Sequence, residues 1–247
     1  MKRFAGKTAL VTGAQSGIGA ATAALLRAEG AHVAATDIMT KEESVDQHNH
    51  LSLPHDAASE RDWERVIART IEVYGGLDIL INNAGISAKE PGPIKDISLD
   101  DWRHVMSVNL DGVFLGMKHG IRAMDGRGGS IVNIASILSF VAIPNSAAYC
   151  ASKGAVLQLT RAGALEGARM SPAIRVNSVH PGYIETPLVG FRFDQNPAMR
   201  SKIENQTPLN RLGKPEEIAK TVAFLASDDA SYATGAAFTI DGGFLAL

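Results

Sequence analysis

Cysteine is almost absent from this 247-residue chain, which contains only Cys150. A single thiol excludes an intrachain disulfide and a zinc site built from cysteines. Long apolar runs are also missing, since none approaches the ~18 residues of a membrane span. The apolar stretch behind Lys2 and Arg3 is interrupted at Gly13 and is too short for a secretory signal. These absences predict a cytoplasmic protein without a membrane partner.

An excess of charge of either sign is missing as well. The chain has 24 lysines and arginines against 26 aspartates and glutamates, a formal net charge of −2. This balance gives no electrostatic reason to expect nucleic acid as a partner. Hydrophobic residues make up 45% and charged residues 20%, as in ordinary globular proteins. The length suits one α/β domain better than two small ones, so we predict a single domain over residues 1–247.

Short apolar runs alternate with helical patterns along the chain. We predict strands at 7–12, 32–37, 77–82, 130–134, 174–179 and 238–240, and helices at 18–29, 59–74, 102–124, 147–170 and 216–226. Repeated strand–helix units favour right-handed crossovers between parallel strands. The pattern predicts a Rossmann-type α/β fold, a doubly wound parallel sheet with helices on both faces.

Two segments interrupt this alternation. The polar interval between Asp37 and Asp56 has room for two helical turns at most, which predicts a shortened helix. Residues 187–208 mix aromatic and apolar side chains with prolines and predict an irregular loop. Apolar, turn-rich loops late in an α/β chain are typical of lids, so we predict a substrate lid at about 183–208.

A glycine-rich turn follows the first predicted strand. Gly13, Gly17 and Gly19 have the spacing G-x3-G-x-G between a strand and a helix. Such glycines let the backbone approach a pyrophosphate that the helix N-terminus stabilises, although a plain turn can have the same composition. Asp37 ends the next strand, where an acid binds adenosine ribose hydroxyls. An aspartate without a ligand is the alternative.

Asp37 also bears on the choice of cofactor. A carboxylate accepts hydrogen bonds from both ribose hydroxyls of NAD and repels the additional phosphate of NADP. Ser16 and Ile38 are uncharged where a cation would bind that phosphate, and Lys41 is a weak substitute. The sequence therefore predicts NAD, with NADP as the less favoured cofactor.

Tyr149 and Lys153 stand four residues apart on a predicted helix, which places them on one face. A phenol has a pKa near 10, and a neighbouring ammonium lowers that pKa by favouring the phenolate. The pair predicts a general acid/base for neutral pH. The same spacing also occurs by chance on many helices.

Other motifs accompany this pair in a fixed order. The chain contains Thr12-Gly13-x3-Gly17-Ile18-Gly19, Asn82-Asn83-Ala84-Gly85, Asn109, Ser136, Tyr149-x3-Lys153, Pro181-Gly182 and Asp241-Gly242-Gly243. Their order and spacing resemble the short-chain dehydrogenase/reductase family over about residues 7–243. The resemblance implies an NAD(H)-dependent oxidoreductase that interconverts a secondary alcohol and a ketone by hydride transfer.

The resemblance also assigns roles to individual residues. It implies that Ser136 binds the substrate oxygen and that Tyr149 is the acid/base. It implies that Lys153 binds the nicotinamide ribose and lowers the pKa of Tyr149, while Asn109 holds a water that connects the lysine to solvent. The helices at 102–124 and 147–170 resemble those that pair across subunits in the family, so we expect a homotetramer.

The resemblance further indicates which residues surround each ligand. Around the cofactor we expect Gly13, Gln15, Ser16, Gly17, Ile18, Gly19, Asp37, Ile38, Asp56, Ala57, Asn83, Ala84, Gly85, Tyr149, Lys153, Pro181, Gly182, Ile184 and Thr186. Around the substrate we expect Ser136, Leu138, Ile143, Tyr149, Tyr183 and Leu188. This mostly apolar set predicts an uncharged, partly apolar alcohol or ketone. We predict no metal site, because His48 and His50 lack supporting ligands nearby.

Two other functions stay open at the level of sequence. One is a catalytically idle NAD-binding sensor or interaction module on the same fold, which would have no need of a tuned phenol. The other is an NADPH-dependent reductase of 3-oxoacyl thioesters, which would need basic residues for docking. Turnover separates the first from an enzyme, and cofactor preference separates the second.

Overall fold

The computed structural model describes residues 2–48, 50–195 and 197–246. Its strands are β1 (Thr8–Thr12), β2 (His32–Asp37), β3 (Ser44–Val45), β4 (Leu51–Pro54), β5 (Ile79–Asn82), β6 (Gly129–Ile134), β7 (Ile174–Pro181) and β8 (Ala237–Ile240). Its helices are α1 (Gly17–Ala28), α2 (Glu60–Tyr74), α3 (Leu99–Met106), α4 (Gly112–Met124), α5 (Ala147–Gly167), α6 (Pro187–Gln195), α7 (Pro197–Gln206) and α8 (Pro215–Ala226). Among the described helices, none has the length and apolar composition for crossing a bilayer.

The described strands form one sheet in the order β3-β4-β2-β1-β5-β6-β7-β8. Neighbours are parallel except β3 and β4. Both faces are apolar: in β1, Ala9 and Val11 join one core, and Leu10 joins the other. Helices α1 and α8 cover the first face, where Val222 is buried, and α2, α4 and α5 cover the second, where Trp63 is buried. The predicted doubly wound fold is confirmed.

The shortened helix predicted between positions 37 and 56 is wrong. The described residues of this interval form turns and a hairpin, in which β3 pairs antiparallel with β4. Strand β4, which was not predicted, pairs in parallel with β2. Glu43 Oε1 accepts a hydrogen bond from Arg69 Nε at 2.7 Å, which ties the hairpin to α2. The interval therefore widens the sheet instead of covering it.

The irregular loop predicted at residues 187–208 is also wrong, because α6 and α7 occupy most of this segment. Pro187 and Pro197 are the first residues of these helices, a position where the missing N–H has no helical partner in any case. Phe193 of α6 and Ile203 of α7 form a small core with Leu212. Two helices thus pack on the carboxyl side of β7.

The helix predicted over 102–124 contains a π-helical turn. This turn, Ser107–Asp111, separates α3 from α4, and α3 begins before the predicted start, at Leu99. Helix α5 ends at Gly167, before the predicted end at Met170. Single π-helical turns recur at functional sites. Asn109 lies in the middle of this one.

The strand order reverses at β1, which pairs with β2 on one side and with β5 on the other. Open α/β sheets bind ligands at the carboxyl ends of the strands beside such a reversal. Three predicted site features meet there. The glycine turn follows β1, Asp37 ends β2, and Asn83 follows β5.

Candidate active site

The glycine turn folds tightly over the end of β1. Gly13 and Gly17 have φ angles of +63° and +54°, left-handed values that favour glycine. A Cβ on Gly19 would overlap the carbonyl oxygen of Gly13, so this position excludes a side chain. Ser16 precedes α1 and makes no side-chain hydrogen bond to cap it. A helix N-terminus without a side-chain cap, behind a close-approach turn, fits the pyrophosphate of a dinucleotide.

Thr12 and Asn83 join the ends of β1 and β5. Asn83 Nδ2 donates to the carbonyl oxygens of Thr12 and Gly13, at 2.9 and 3.0 Å. In return, the main-chain N–H groups of Asn83 and Ala84 donate to Thr12 Oγ1, each at 3.0 Å. These bonds set the distance between the glycine turn and the Asn83–Gly85 segment, which form two walls of one cavity.

Asp37 is held at the end of β2 through both carboxylate oxygens. Oδ2 accepts from the main-chain N–H of Gln15 at 3.1 Å, and Oδ1 accepts from that of Met39 at 2.9 Å. A carboxylate has about four acceptor positions, so two stay available for ribose hydroxyls. Asp37 lines the same cavity as the glycine turn. Its hydrogen bonds fix the carboxylate before any ligand arrives.

Lys153 is buried beside Tyr149 on α5. Its Nζ donates to the carbonyl oxygen of Ile134 at 2.8 Å and lies 5.7 Å from the centroid of the Tyr149 ring. Burial lowers the pKa of Lys153 to about 8. A desolvated ammonium is costly, so its presence beside a phenol in a cavity indicates a functional group more than a packing residue.

Asn109 holds the Ile86 backbone against the lysine. Its Oδ1 accepts from the N–H of Ile86 at 2.8 Å, and its Nδ2 donates to the carbonyl oxygen of Ile86 at 2.9 Å and to Ser152 Oγ at 3.1 Å. A Cβ on Gly85 would lie 3.4 Å from both Asn109 Oδ1 and Lys153 Nζ. The side chain of Asn109 therefore orders the wall beside Lys153. Its role in holding a water stays a prediction.

Ser136 follows β6 and is almost fully buried. Its Oγ accepts from the N–H of Leu138 at 3.1 Å, and the hydroxyl hydrogen can still be donated to a substrate oxygen. Ser136, Tyr149 and Lys153 line one cavity of about 420 Å³. A ligand in this cavity can therefore contact all three residues.

Most of the predicted site residues line this cavity. The predicted residues brought together there are Gly13, Ser16, Gly17, Ile18, Asp37, Ile38, Asp56, Ala57, Asn83, Ala84, Gly85, Ser136, Tyr149, Lys153, Pro181, Gly182, Ile184, Thr186 and Leu188. Asn109 is fully buried behind Gly85 and Ile86 and supports the wall from there. The cavity contains the ends of β1, β2, β4, β5, β6 and β7, as expected for a crevice that crosses a sheet.

The structure does not bring every predicted residue to the cavity. Besides Asn109, those outside its lining are Gln15, Gly19, Leu138, Ile143 and Tyr183. Gln15 turns away, since its Nε2 donates to Thr40 Oγ1 at 3.0 Å. The Tyr183 ring lies 5.5 Å from the ring centroid of Phe244 and packs on the small core under α6 and α7. Successive residues of an extended chain point in opposite directions, so Gly182 and Ile184 face the cavity and Tyr183 faces away.

The cavity also has walls that sequence reasoning missed. These lining residues are Thr12, His55, Ile86, His104, Val108, Ile134 and Ala135, whereas Pro187 and Val189 belong to the predicted lid. Nearly all adjoin a predicted residue, so position at a strand end was an available signal. His104 is different, because its place depends on the phase of α3 before the π-helical turn.

Outside the cavity, Glu60, Glu64 and His119 bring ligand atoms within 4.8 Å of one another. Glu60 Oε1 already accepts from Lys118 Nζ and lies 3.2 Å from His119 Nε2. We interpret this group as a surface ion-pair cluster. His48 and His50 have ring centroids 6.3 Å apart in the β3–β4 hairpin.

Comparison with known proteins identifies the family. A sequence profile described as Enoyl-(Acyl carrier protein) reductase matches residues 13–245. The NADP-dependent (R)-specific alcohol dehydrogenase of Lentilactobacillus kefiri is 40% identical over 99% of this chain and 98% of its own. The chain belongs to the short-chain dehydrogenase/reductase family. The resemblance stated from the motifs is thereby confirmed.

Other members of this family agree in sequence and in structure. The cyclohexanol dehydrogenase of an Acinetobacter species is 39% identical over 98% of this chain and 96% of its own. The ligand-free aldohexose dehydrogenase of Thermoplasma acidophilum has a TM-score of 0.89 at 34% identity, covering 98% of this chain and 94% of its own. Levodione reductase has a TM-score of 0.90 at 34% identity, covering 99% of each.

Proposed function

We propose that the protein is an NAD(H)-dependent oxidoreductase that interconverts a secondary alcohol and a ketone. One observation carries the proposal: Ser136, Tyr149 and the buried Lys153 line the same cavity as a glycine turn and Asp37. The relatives named alcohol dehydrogenase and cyclohexanol dehydrogenase support the reaction class. The cavity therefore combines a dinucleotide cradle with donors for an alkoxide.

The chain's own residues account for binding and proton transfer. The glycine turn and the first turn of α1 would hold the pyrophosphate, and Asp37 would hold the adenosine ribose. When bound, the nicotinamide supplies hydride exchange. In the direction of reduction, Ser136 Oγ–H stabilises the developing alkoxide and the Tyr149 hydroxyl donates its proton to that oxygen. In the direction of oxidation, the Tyr149 phenolate removes the same proton. Lys153 stabilises that phenolate and would bind the nicotinamide ribose.

The choice of NAD rests on Asp37. Of the described residues that line the cavity, the only lysine or arginine is Lys153. Lys153 binds the end of β6, three strand spacings or roughly 14 Å from β2. A 2′-phosphate beside Asp37 would thus meet a carboxylate and no cation from the lining. The L. kefiri relative is NADP-dependent, so the preference needs a direct measurement.

The substrate we propose is uncharged and partly apolar. The cavity that Ser136 and Tyr149 line is also lined by Leu188 and Val189. Apolar walls with few polar anchors favour a compact alcohol or ketone without a charged group. We further propose that residues 183–208 act as the lid, because the first turn of α6 forms part of this wall.

Two alternatives are less well supported. A 3-oxoacyl thioester reductase, in keeping with the acyl-carrier wording of the family profile, would need free basic residues near the cavity. Arg200 on α7 instead pairs with Glu185 at 2.7 Å and with Glu204 at 3.0 Å. An idle NAD-binding module would have no use for a phenol tuned by a neighbouring ammonium.

Steady-state assays with both cofactors test the proposal. We expect the purified protein to reduce alicyclic and aliphatic ketones with NADH, and to oxidise the matching alcohols with NAD, as followed by NADH absorbance. A 3-oxoacyl thioester should be a poor substrate. NADH binding without turnover over the whole set would favour the idle module. Faster turnover of the thioester with NADPH would favour the second alternative.

We also propose a homotetramer in which the outer faces of α4 and α5 are covered by other subunits. Phe114 on α4 is 50% exposed and Leu165 on α5 is 71% exposed in the single chain. Light scattering should give four times the chain mass of 26.1 kDa. A monomer mass would contradict this. The cytoplasmic location stays a prediction from the sequence.

A further inference from the structure

His180 is a fully buried side chain at the end of β7 that the proposed mechanism does not use. Its Nδ1 lies 2.9 Å from the carbonyl oxygen of Ser136, and its Nε2 lies 2.8 Å from Ser178 Oγ. A carbonyl oxygen only accepts, so Nδ1 carries the hydrogen. Nε2 then accepts from the hydroxyl of Ser178. The two partners select one neutral tautomer.

The carbonyl that His180 binds belongs to the loop that presents the Ser136 hydroxyl. The ladder between β6 and β7 ends at Ile134 with Val179, and the N–H of Ala135 makes one more bond, to the Val179 carbonyl oxygen at 2.8 Å. Beyond that point the β6 chain has left the sheet. The Ser136 carbonyl oxygen also accepts from the N–H of Ser139 at 3.0 Å, a bond within the loop itself. His180 is thus the link from this carbonyl back to β7.

Two buried side chains therefore hold successive parts of the same strand end. Lys153 Nζ binds the carbonyl oxygen of Ile134, and His180 Nδ1 binds that of Ser136. Phe140 covers the imidazole, with ring centroids 4.6 Å apart. Burial of the imidazole disfavours its charged form and lowers the pKa of His180, so the ring stays neutral.

We propose that His180 is a positioning residue for the proposed reaction: by binding the Ser136 carbonyl, it fixes the Ser136 hydroxyl relative to Tyr149. This inference rests on the function proposed above. Ser178 contributes to the same positioning, because its hydroxyl donates to Nε2 and so keeps the hydrogen of the imidazole on Nδ1. Displacement of a substrate-binding hydroxyl by about 1 Å can reduce turnover by about 100-fold.

Graded variants at positions 180 and 178 test this role. His180→Phe keeps a ring and removes the donor, and we expect kcat/KM to fall about 10- to 100-fold with NADH affinity unchanged. His180→Asn places an amide N–H where Nδ1 lies and should recover most of the activity. Ser178→Ala should have an intermediate effect. A loss in His180→Asn as large as in His180→Phe would contradict the proposal.

A double-variant cycle with Ser136→Ala shows whether His180 affects turnover through the Ser136 hydroxyl. If His180 acts through the Ser136 hydroxyl, adding His180→Phe to Ser136→Ala should cost little more than Ser136→Ala alone. Multiplicative losses would overturn the proposal, since they would place the effect of His180 outside Ser136.

Hydrogen exchange supplies a readout that does not depend on turnover. Exchange over residues 136–140, measured by mass spectrometry, should speed up in His180→Phe and return to the wild-type rate in His180→Asn. Unchanged exchange in His180→Phe would overturn the positioning role. The expected exchange pattern in a protein that turns over no alcohol or ketone would uphold the positioning of Ser136 and reject the proposed function instead.

Discussion

Replacing Tyr149 with phenylalanine is expected to lower turnover by about 10²- to 10⁴-fold, the usual contribution of a positioned general acid/base. The substitution removes only the hydroxyl and keeps the ring that lies 5.7 Å from Lys153 Nζ. Without the hydroxyl, no group of the pair carries the proton to or from the substrate oxygen. The decrease should appear in kcat in both directions, measured by NADH absorbance at saturating cofactor.

The neighbouring residue offers a matched control. Cys150 is a half-buried free thiol in the same turn of α5, and it does not line the cavity. Cys150→Ser should leave kcat largely unchanged. NADH fluorescence should report similar affinity in wild type and Tyr149→Phe, because the glycine turn and Asp37 are untouched. Wild-type turnover in Tyr149→Phe would refute the assigned acid/base.

The part of the fold that could be predicted is the part built from buried strands. Strands such as β1 and β5 are buried on both faces and appear as short apolar runs, and glycines mark where they end. Ligand groups at those ends could be predicted as well. A parallel sheet brings its carboxyl ends to one edge, so Gly13, Asp37, Asn83 and Ser136 meet there from distant positions in the chain.

The prediction failed where tertiary contacts select the structure. Strand β3 has only two residues, both exposed, and no local pattern distinguishes them from a loop. Its partner β4 exists because β2 offers a free edge for parallel pairing. In the segment 187–208, Pro187 and Pro197 suggested breaks in structure, whereas prolines also begin helices. Local composition permits both an irregular loop and a pair of helices, and the packing of Phe193 on Ile203 favours the helices.

Nothing in the local amino-acid composition indicates the π-helical turn. Residues 102–124 have the periodicity of one helix, and an added residue in one turn changes only the phase of what precedes it. This phase brings His104 to the cavity wall, and within the turn Val108 lines the cavity while Asn109 stays buried against Ile86. A structure is needed for this level of detail, because the shift depends on contacts from the Ile86 backbone and α5.

The second large effect is expected at Asp37. Asp37→Asn keeps the size of the side chain and one carbonyl oxygen while removing the charge. A unit charge pair about 4 Å apart is worth about 4 kcal/mol at an effective dielectric constant of 20. Loss of that repulsion corresponds to a gain of about 10²- to 10³-fold in kcat/KM for NADP. The ratio of kcat/KM for NADP to that for NAD should therefore rise by up to this factor.

An added cation should extend this shift in cofactor preference. Ile38 lines the cavity and is 69% exposed, so an arginine there would remain in solvent while reaching a 2′-phosphate. Asp37→Asn combined with Ile38→Arg should therefore favour NADP more than Asp37→Asn alone. The matched control is Asp37→Asn with Met39→Arg, which makes the same change of charge at a 74% exposed residue outside the cavity lining.

The outcomes separate charge from loop geometry. The main-chain N–H groups of Gln15 and Met39 both use Asp37 as acceptor, so any variant at this position can loosen the glycine turn. Loosening would weaken both cofactors equally and leave their ratio unchanged. A change confined to the ratio is therefore the signature of electrostatic selection. A wild type that prefers NADPH, or an Asp37→Asn variant with an unchanged ratio, would remove Asp37 as the determinant.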